Sequence, residues 1–208
     1  MNVVLHAWRH PRTEGAEGRC IGRVDLPADA RKAKRLARRI QSFARRNGLP
    51  REVITSPLRR CRDVGRWLSR WGWRHGIDGA LSELDFGAWD GKPWSEVRAA
   101  EIDAWCNDFL HGRPGGGESV SELIARVRSF ELGNARVVVT HGGWLSAARW
   151  LRDGQGQAPA AASWPAAPRQ GHHVMFSDWP LRPLQASASR APKPRSSVGS
   201  APTTRSGT

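Results

Sequence analysis

The sequence predicts an α/β fold in three layers, α/β/α, around a mainly parallel central sheet. Short apolar runs at 3–8, 52–55 and 136–140 alternate with longer segments in which apolar residues recur every three or four positions. Alternating strands and helices of this kind build parallel sheets that helices cover on both faces. The 208 residues suffice for one domain with a core of its own.

The same periodicities give the order of the elements. Two helices have clear start signals: Ser56-Pro57 has the composition of an N-cap and first helical residue, and Ser119 with Glu122 fits a capping box. Asn47-Gly48 is a typical helix end. The predicted elements are a strand at 3–8, a helix over 28–47, a strand at 52–55, a helix from 56 to about 71, an edge strand at 73–78, helices over 94–111 and from 119 to about 130, a strand at 136–140, a helix over 144–152 and a last strand at 172–176.

Positive charge dominates the composition, with 33 Lys and Arg against 19 Asp and Glu and a net charge of +14. This balance suits an anionic partner such as a phosphate ester, a nucleic acid or an acidic surface. A genome that favours arginine explains it equally well, since Arg far outnumbers Lys and Tyr is absent. The helix at 28–47 carries eight basic residues without a pattern of stacking aromatics, so a solvated face is favoured over a nucleic-acid surface.

Cysteine usage and hydropathy favour a cytoplasmic protein. Cys20, Cys61 and Cys106 are odd in number, far apart and in no CxxC motif, so neither a disulfide framework nor a zinc site is expected. We find no signal-peptide pattern and no apolar run near the roughly 18–20 residues of a membrane span, so no membrane partner is expected. The composition predicts a folded domain at 1–184 and a disordered, basic, Ser/Ala/Pro-rich tail at 185–208.

Residues with catalytic potential stand where predicted strands end. Arg9-His10 follows the first strand, and His141 follows the strand at 136–140. The carboxyl ends of parallel strands share one sheet edge, where ligands bind in open α/β sheets, so we expect these residues to meet. Arg60 lies in the first turns of the second predicted helix, and Glu83 lies in a loop with two turn glycines. Each is a weak signal alone, because a single histidine at a strand end is more often structural than catalytic.

Together, two histidines, two arginines and one glutamate supply what phosphoryl transfer requires. Guanidinium groups clamp phosphate oxygens through forked hydrogen bonds, and a neutral imidazole can attack phosphorus. A second imidazole can donate a hydrogen bond to the equatorial oxygens as charge develops. A carboxyl group can protonate the departing alkoxide and then activate water. These roles need no metal ion and no other cofactor.

The sequence resembles the histidine phosphatase superfamily, whose fold is phosphoglycerate-mutase-like. The resemblance covers about residues 3–150 and implies that His10 is the phosphorylated nucleophile and Glu83 the proton donor. It also implies that Arg9, Arg60 and His141 form the phosphate pocket, with Gly142 contributing to substrate binding. The motifs that carry it, in family order, are Arg9-His10, Ser56-x-Leu58-x-Arg60, Glu83-x-x-x-Gly87, Gly116-Gly117-Glu118-Ser119 and Thr140-His141-Gly142-Gly143.

Two longer runs, at 18–27 and 83–94, resemble the alpha-ribazole phosphatase branch of this superfamily. They imply that the substrate is alpha-ribazole 5′-phosphate, an intermediate of cobalamin biosynthesis, and that Arg23 contributes to substrate binding. Pro11 and Ala16 depart from the mutase pattern and disfavour a mutase. Either Trp89 or Trp94, both near Glu83 in sequence, is expected to stack on a ring of the substrate.

Two alternatives stay open: a generic small-molecule phosphatase of the same superfamily, and a non-catalytic module that binds a phospholigand or a polyanion. Nucleic acid is not the favoured partner, and a homodimer is one option for the oligomeric state. His172-His173 is not expected to hold a metal ion, because adjacent residues of a strand point to opposite faces.

Overall fold

A computed structural model describes residues 3–153 and 158–181. Its centre is a five-stranded sheet in the order β3-β2-β4-β1-β5. The pairs β1–β4, β2–β4 and β2–β3 are parallel, while β5 runs antiparallel to β1, so the predicted mainly parallel sheet is confirmed. The strands are β1 (Val3–Arg9), β2 (Glu52–Thr55), β3 (Arg74–Ile77), β4 (Val137–Thr140) and β5 (His173–Trp179).

Helices cover both faces of the sheet, as the three-layer prediction requires. Two of them pack with Val139 and Trp8 on one face, and two others pack with Val138 and Leu5 on the opposite face. Successive side chains of a strand point to opposite faces, which is why every residue of β4, covered on both sides, is buried. The α-helices of the described residues are α1 (Ala30–Arg46), α2 (Arg59–Ser69), α3 (Ala99–Asn107), α4 (Val120–Arg128) and α5 (Gly142–Asp153).

Local side chains cap the starts of two helices, and one of these caps, the capping box at Ser119, was predicted from the sequence. Asp29 caps α1 by accepting a hydrogen bond from the Lys32 amide at 2.8 Å, so the helix begins two residues after the predicted start. Ser119 and Glu122 form the predicted capping box at the start of α4. Both caps are local interactions.

Ser56 does not cap α2, and that prediction is wrong. The helix begins at Arg59, and its N-cap residue Leu58 makes no side-chain capping bond. The Ser56 hydroxyl accepts from the Leu58 amide at 3.2 Å, before the helix begins, and lies 2.7 Å from Nε2 of His141. Ser56 therefore makes a contact across 85 residues of sequence in addition to its local bond.

The prediction of one helix over 94–111 is also wrong. A single 3-10 turn at Trp94–Glu96 comes first, and the backbone is extended at Val97 and Arg98 before α3 begins. The Val97 side chain is buried in a small cluster with Cys20 and Trp89, and this tertiary packing stabilises the interruption.

The described residues contain no helix that is both long and apolar enough to cross a membrane. The predicted tail at 185–208 lies outside the described residues.

Candidate active site

Three parallel strands end side by side at one edge of the sheet. Arg9 pairs with Thr140 in the β1–β4 register, and the His10 amide donates to the Thr140 carbonyl at 2.9 Å. The Ser56 amide, just after β2, donates to the Val139 carbonyl at 3.1 Å. The strand-end residues expected to meet therefore do meet, as the carboxyl ends of parallel neighbours must.

His10 is buried at the wall of a cavity beyond this edge. Its Nδ1 lies 2.7 Å from the Pro11 carbonyl oxygen. A carbonyl oxygen only accepts hydrogen bonds, so Nδ1 carries the ring proton and Nε2 keeps a free lone pair. Burial, followed by the Arg60 charge, lowers the pKa of His10 to about 3 despite the opposing effect of the Pro11 bond. His10 is therefore neutral near pH 7, the form that can act as a nucleophile.

Arg60 is buried, and its guanidinium is held by backbone oxygens. It donates to the Gly22 carbonyl at 2.5 Å and to the Val24 carbonyl at 2.8 Å, and its Nε donates to Nδ1 of His141 at 3.2 Å. Arg60 lines the cavity, whereas its neighbour Arg59 is exposed, in agreement with the preference for Arg60 in the motif.

His141 has no exposed surface and lies behind Arg60, so it is not part of the cavity wall. Because Arg60 donates to Nδ1, a neutral His141 carries its proton on Nε2, which points to the Ser56 hydroxyl. The Cys61 sulfur lies 3.3 Å from the same nitrogen. Burial and the nearby Arg60 charge lower the pKa of His141 well below its usual range. In this arrangement His141 contacts the site through Arg60, with its ring centre 5.1 Å from that of His10.

Arg9 contributes a second guanidinium to the cavity. Its Nη1 donates to the Pro168 carbonyl at 2.7 Å, while its buried Nε has no hydrogen-bond partner among the described residues. Gly142 lies against it: a Cβ at position 142 would come within 3.0 Å of the Arg9 guanidinium carbon. A residue larger than glycine there would displace Arg9.

Glu83 reaches the cavity from the loop that follows β3 and is 8% exposed. Its carboxylate accepts hydrogen bonds from the Gly143 amide at 2.9 Å and from the Leu84 amide at 3.1 Å. The first bond holds the carboxylate at the N-terminus of α5, next to His141 in sequence. A Cβ at position 143 would lie 2.4 Å from a Glu83 carboxylate oxygen, so a larger residue there would displace the carboxylate.

The cavity has a volume of about 580 Å³ and a sharply divided lining. Arg9, His10, Arg60 and Glu83 form its polar end. Beyond them, the charged lining of the described residues is limited to Arg19, and the walls are mainly aromatic and apolar. The rings that line it are Phe86, Trp94, Trp105, Phe109 and Trp164.

Sequence reasoning missed part of this wall. Trp105 and Phe109, four residues apart, belong to the apolar face of the helix predicted over 94–111, but that pattern did not place them at the cavity. Trp164 and the segment 165–167 carry no such signal, since they lie in a loop brought to the cavity by the fold. Of the two tryptophans expected to stack on substrate, Trp94 lines the cavity and is 39% exposed. Trp89 is buried and does not line it.

Arg23 does not line the cavity in this structure. Its guanidinium faces the Asp85 carboxylate at 3.8 Å and the Glu118 carboxylate at 3.7 Å. The substrate-binding role expected for Arg23 has no geometric support here. Within residues 3–153 and 158–181, no three His, Cys, Asp or Glu side chains are grouped so that they could hold a metal ion.

The sequence profile of the histidine phosphatase superfamily (branch 1) matches residues 5–162. The chain belongs to this superfamily. The family predicted from the motifs is thereby confirmed, and the strands, helices and candidate site all lie largely within the matched range.

Curated relatives match parts of the chain. A bifunctional protein of Mycobacterium tuberculosis is 36% identical over 107 residues, 49% of this chain and 28% of that protein. The chain thus spans little more than a quarter of that relative's length. The adenosylcobalamin/alpha-ribazole phosphatase of Escherichia coli is 34% identical over 76 residues, 32% of this chain and 37% of that protein.

Solved structures match over most of the chain. The alpha-ribazole phosphatase of Shigella flexneri is 25% identical with a TM-score of 0.65, over 88% of this chain and 96% of that one. A mycobacterial glucosyl-3-phosphoglycerate phosphatase is 23% identical with a TM-score of 0.66, over 84% of this chain and 91% of that one. At that identity the second likeness shows the fold alone, and it confirms the predicted phosphoglycerate-mutase-like architecture.

Proposed function

We propose that this histidine phosphatase superfamily member is a phosphomonoesterase that works through a phosphohistidine intermediate on His10, without a metal ion. One observation carries the proposal: a neutral His10, with its Nε2 lone pair free, shares a cavity with two guanidinium groups and a carboxylate. The guanidiniums of Arg9 and Arg60 supply the positive charge that a bound phosphate needs.

In the first step, Nε2 of His10 attacks phosphorus while the bond between phosphorus and the alcohol oxygen breaks. Glu83, in its protonated form, gives its proton to the departing oxygen, and the alcohol leaves. In the second step, the Glu83 carboxylate takes a proton from a water molecule that attacks the phosphohistidine. The nitrogen–phosphorus bond breaks, inorganic phosphate forms, and His10 and Glu83 return to their starting states.

The nucleophile is tested with p-nitrophenyl phosphate in the presence of EDTA. We expect turnover by the native protein under these conditions, and a fall of at least about 1,000-fold in His10→Ala, as nucleophile deletions in other hydrolases give. His111→Ala, which removes an exposed histidine, is the matched control and should keep full activity. Robust turnover by His10→Ala, or loss of native activity in EDTA, would contradict the mechanism.

For the substrate, we infer a phosphate ester of a ring-bearing alcohol, with alpha-ribazole 5′-phosphate as the preferred candidate. The support is twofold. The cavity beyond the phosphate end has five aromatic rings in its lining and one further charged residue, Arg19. Relatives named alpha-ribazole phosphatase are among both the curated proteins and the solved structures. A neighbour named for glucosyl-3-phosphoglycerate keeps the generic small-molecule phosphatase open as the alternative.

Trp94→Ala tests this substrate class. Loss of a stacking ring is worth about 1–3 kcal/mol, so KM for alpha-ribazole 5′-phosphate should rise roughly tenfold or more. KM for glycerol phosphate, which has no ring, should stay nearly the same. Trp71→Ala, outside the cavity, is the control. Efficient turnover of glycerol phosphate or a phosphoglycerate, with none of the ribazole ester, would favour the generic alternative.

The polyanion-binding alternative has one observation in its favour. Arg35, Arg38, Arg39 and Arg46 of α1 line a groove of about 430 Å³ together with His173, and no acidic side chain is among its described lining residues. Salt-sensitive binding of single-stranded DNA by the full chain, lost when these arginines become glutamine, would support it. Binding without turnover on any phosphate ester would make it the primary function.

A further inference from the structure

Arg126 on α4 donates hydrogen bonds to the backbone of the loop that carries Glu83. Its Nη1 donates to the carbonyl oxygens of Ala80 and Ser82, each at 2.8 Å. Its Nη2 lies 3.4 Å from the carbonyl oxygen of Glu83 itself. The backbone on both sides of the Glu83 Cα is therefore held by one side chain from another helix.

Glu118 completes the arrangement. Its two carboxylate oxygens receive Nε and Nη2 of Arg126 at 2.9 and 2.7 Å, a bidentate pair with both side chains largely buried. All five N–H groups of the guanidinium thus have an acceptor. Glu118 also holds the far end of the loop, because its amide donates to the Asp85 carbonyl at 2.8 Å and its carboxylate accepts from the Asp85 amide at 3.3 Å.

A further contact holds the end of the Glu83 side chain, whose carboxylate accepts a hydrogen bond from the Gly143 amide. The carboxylate is thus fixed between two supports: backbone contacts to Arg126 and Glu118, and one amide at the start of α5. A shift of the loop of about 1 Å would move the carboxylate relative to His10, and misplacement on that scale can cost about a hundredfold in rate.

We propose that Arg126, oriented by Glu118, is a positioning residue that sets where the Glu83 carboxyl group meets the leaving-group oxygen. The inference rests on the proposed function, because it needs Glu83 to be the proton donor. Arg126 touches neither the substrate cavity nor the reacting atoms, so its effect passes through the loop at 80–85. The planar fork is essential: lysine keeps the positive charge but has three donors on one nitrogen, which cannot reach three carbonyls and a bidentate carboxylate together.

Arg126→Lys is tested with two kinds of ester. We measure kcat/KM, which reports the steps up to loss of the alcohol, for p-nitrophenyl phosphate and for an alkyl phosphate. The p-nitrophenolate ion leaves readily without a proton, whereas an alkoxide needs one from Glu83. We expect Arg126→Lys to lower kcat/KM for the alkyl ester at least tenfold more than for the aryl ester. The same selective loss should appear in Glu83→Gln, and the double variant should show no further selective loss.

Arg113→Lys is the matched control, since Arg113 is an exposed arginine paired with Glu122 on the same stretch of chain. This variant should leave kcat/KM unchanged for both esters. Where Arg126→Lys does not fold, Glu118→Gln removes the charge of the partner and gives the same test. Equal loss on both esters in a folded Arg126 or Glu118 variant overturns the positioning role and leaves Glu83 as the donor. No selective loss in Glu83→Gln overturns the donor assignment and the inference with it.

Discussion

The two buried histidines of the site are oriented by hydrogen bonds to neighbouring groups. Nδ1 of His10 is tied to the Pro11 carbonyl, and both nitrogens of His141 are engaged by Arg60 and Ser56. These bonds choose the tautomers, and burial keeps both rings neutral. This arrangement lowers the unfolding free energy at low pH, because the unfolded chain can protonate these histidines and the folded protein keeps them neutral.

The pH dependence of stability follows from the sign of these shifts. The pKa values of His10 and His173 lie at about 3 and about 4, against about 6.5 in an unfolded chain. As pH falls from 6.5 towards 3, the unfolded state binds more protons, so the unfolding free energy falls by up to about 1.4 kcal/mol per pH unit for each such histidine. Above pH 6.5 these groups contribute no slope.

Thermal unfolding between pH 7 and pH 4, in a buffer without phosphate, checks this expectation. The Tm of the native protein should fall with pH, and His10→Gln should fall less steeply because it lacks one of the buried imidazoles. The difference between the two slopes isolates His10 from the titrating carboxylates. Identical slopes would mean that His10 is not held neutral in the folded state.

At the scale of elements, the polar end of the cavity depends on the loop at 22–24, which contacts with two other segments hold in place. The Asp90 carboxylate accepts hydrogen bonds from the amides of Gly22, Arg23 and Val24 at 2.5 to 2.9 Å. The carbonyls of Gly22 and Val24 are the ones that receive the Arg60 guanidinium. The Asp90 carboxylate therefore orients Arg60, one of the two arginines proposed to bind phosphate, through the backbone at 22–24.

Asp90→Ala should lower the unfolding free energy by about 2 kcal/mol or more, since it leaves three amides without their charged acceptor. It should also raise the inhibition constant of inorganic phosphate, because Arg60 loses its fixed anchors. Asp63→Ala is the control, as Asp63 pairs with the exposed Arg66 and should change neither quantity measurably. A lower unfolding free energy with an unchanged inhibition constant for phosphate would show that the loop stabilises the fold without affecting phosphate binding.

At the scale of the whole molecule, the segment 158–181 completes both the sheet and the cavity. β5 closes the edge beside β1, and Trp179 at its end is buried against Trp144, with ring centres 5.7 Å apart, and near Phe130. The segment before β5 supplies Trp164 to the cavity wall. This part of the chain showed no clear match to the family motifs, yet it packs on the core that those motifs define.

Trp179→Ala should destabilise the protein by about 3–5 kcal/mol, the usual cost of removing a large buried aromatic side chain. Urea denaturation measures it. Met175→Ala, an exposed position on the same strand, should stay within about 0.5 kcal/mol of the native protein. If Trp179→Ala changed the unfolding free energy as little as Met175→Ala is expected to, β5 would contribute little to the cooperative core.

Features that depend on residues close together in the sequence could be predicted, and features that depend on residues far apart in the sequence mostly could not. The capping box at Ser119 rests on residues within a few positions, and the apolar face of α1 and the strand β4 are marked by local apolar patterns, so all three could be predicted. Arg9 and His10 could be placed at the sheet edge because they end a strand, and Arg60 and Glu83 could be grouped with them because their motifs stand in family order. The break before α3 and the true start of α2 could not, because Val97 and Ser56 are held by partners distant in sequence.

The family, the succession of strands and the set of side chains that carry the proposed chemistry could all be predicted from the amino-acid sequence. The position of His141 behind Arg60, and of Arg23 against acidic side chains instead of the cavity, depends on contacts between distant segments. The tertiary structure alone decided that Trp94 and Trp164, and not Trp89, line the site, and that Arg126 holds the Glu83 loop. The physical reason is common to these cases: a side chain's role depends on which distant backbone and carboxylate groups satisfy its donors, and no local pattern encodes that choice.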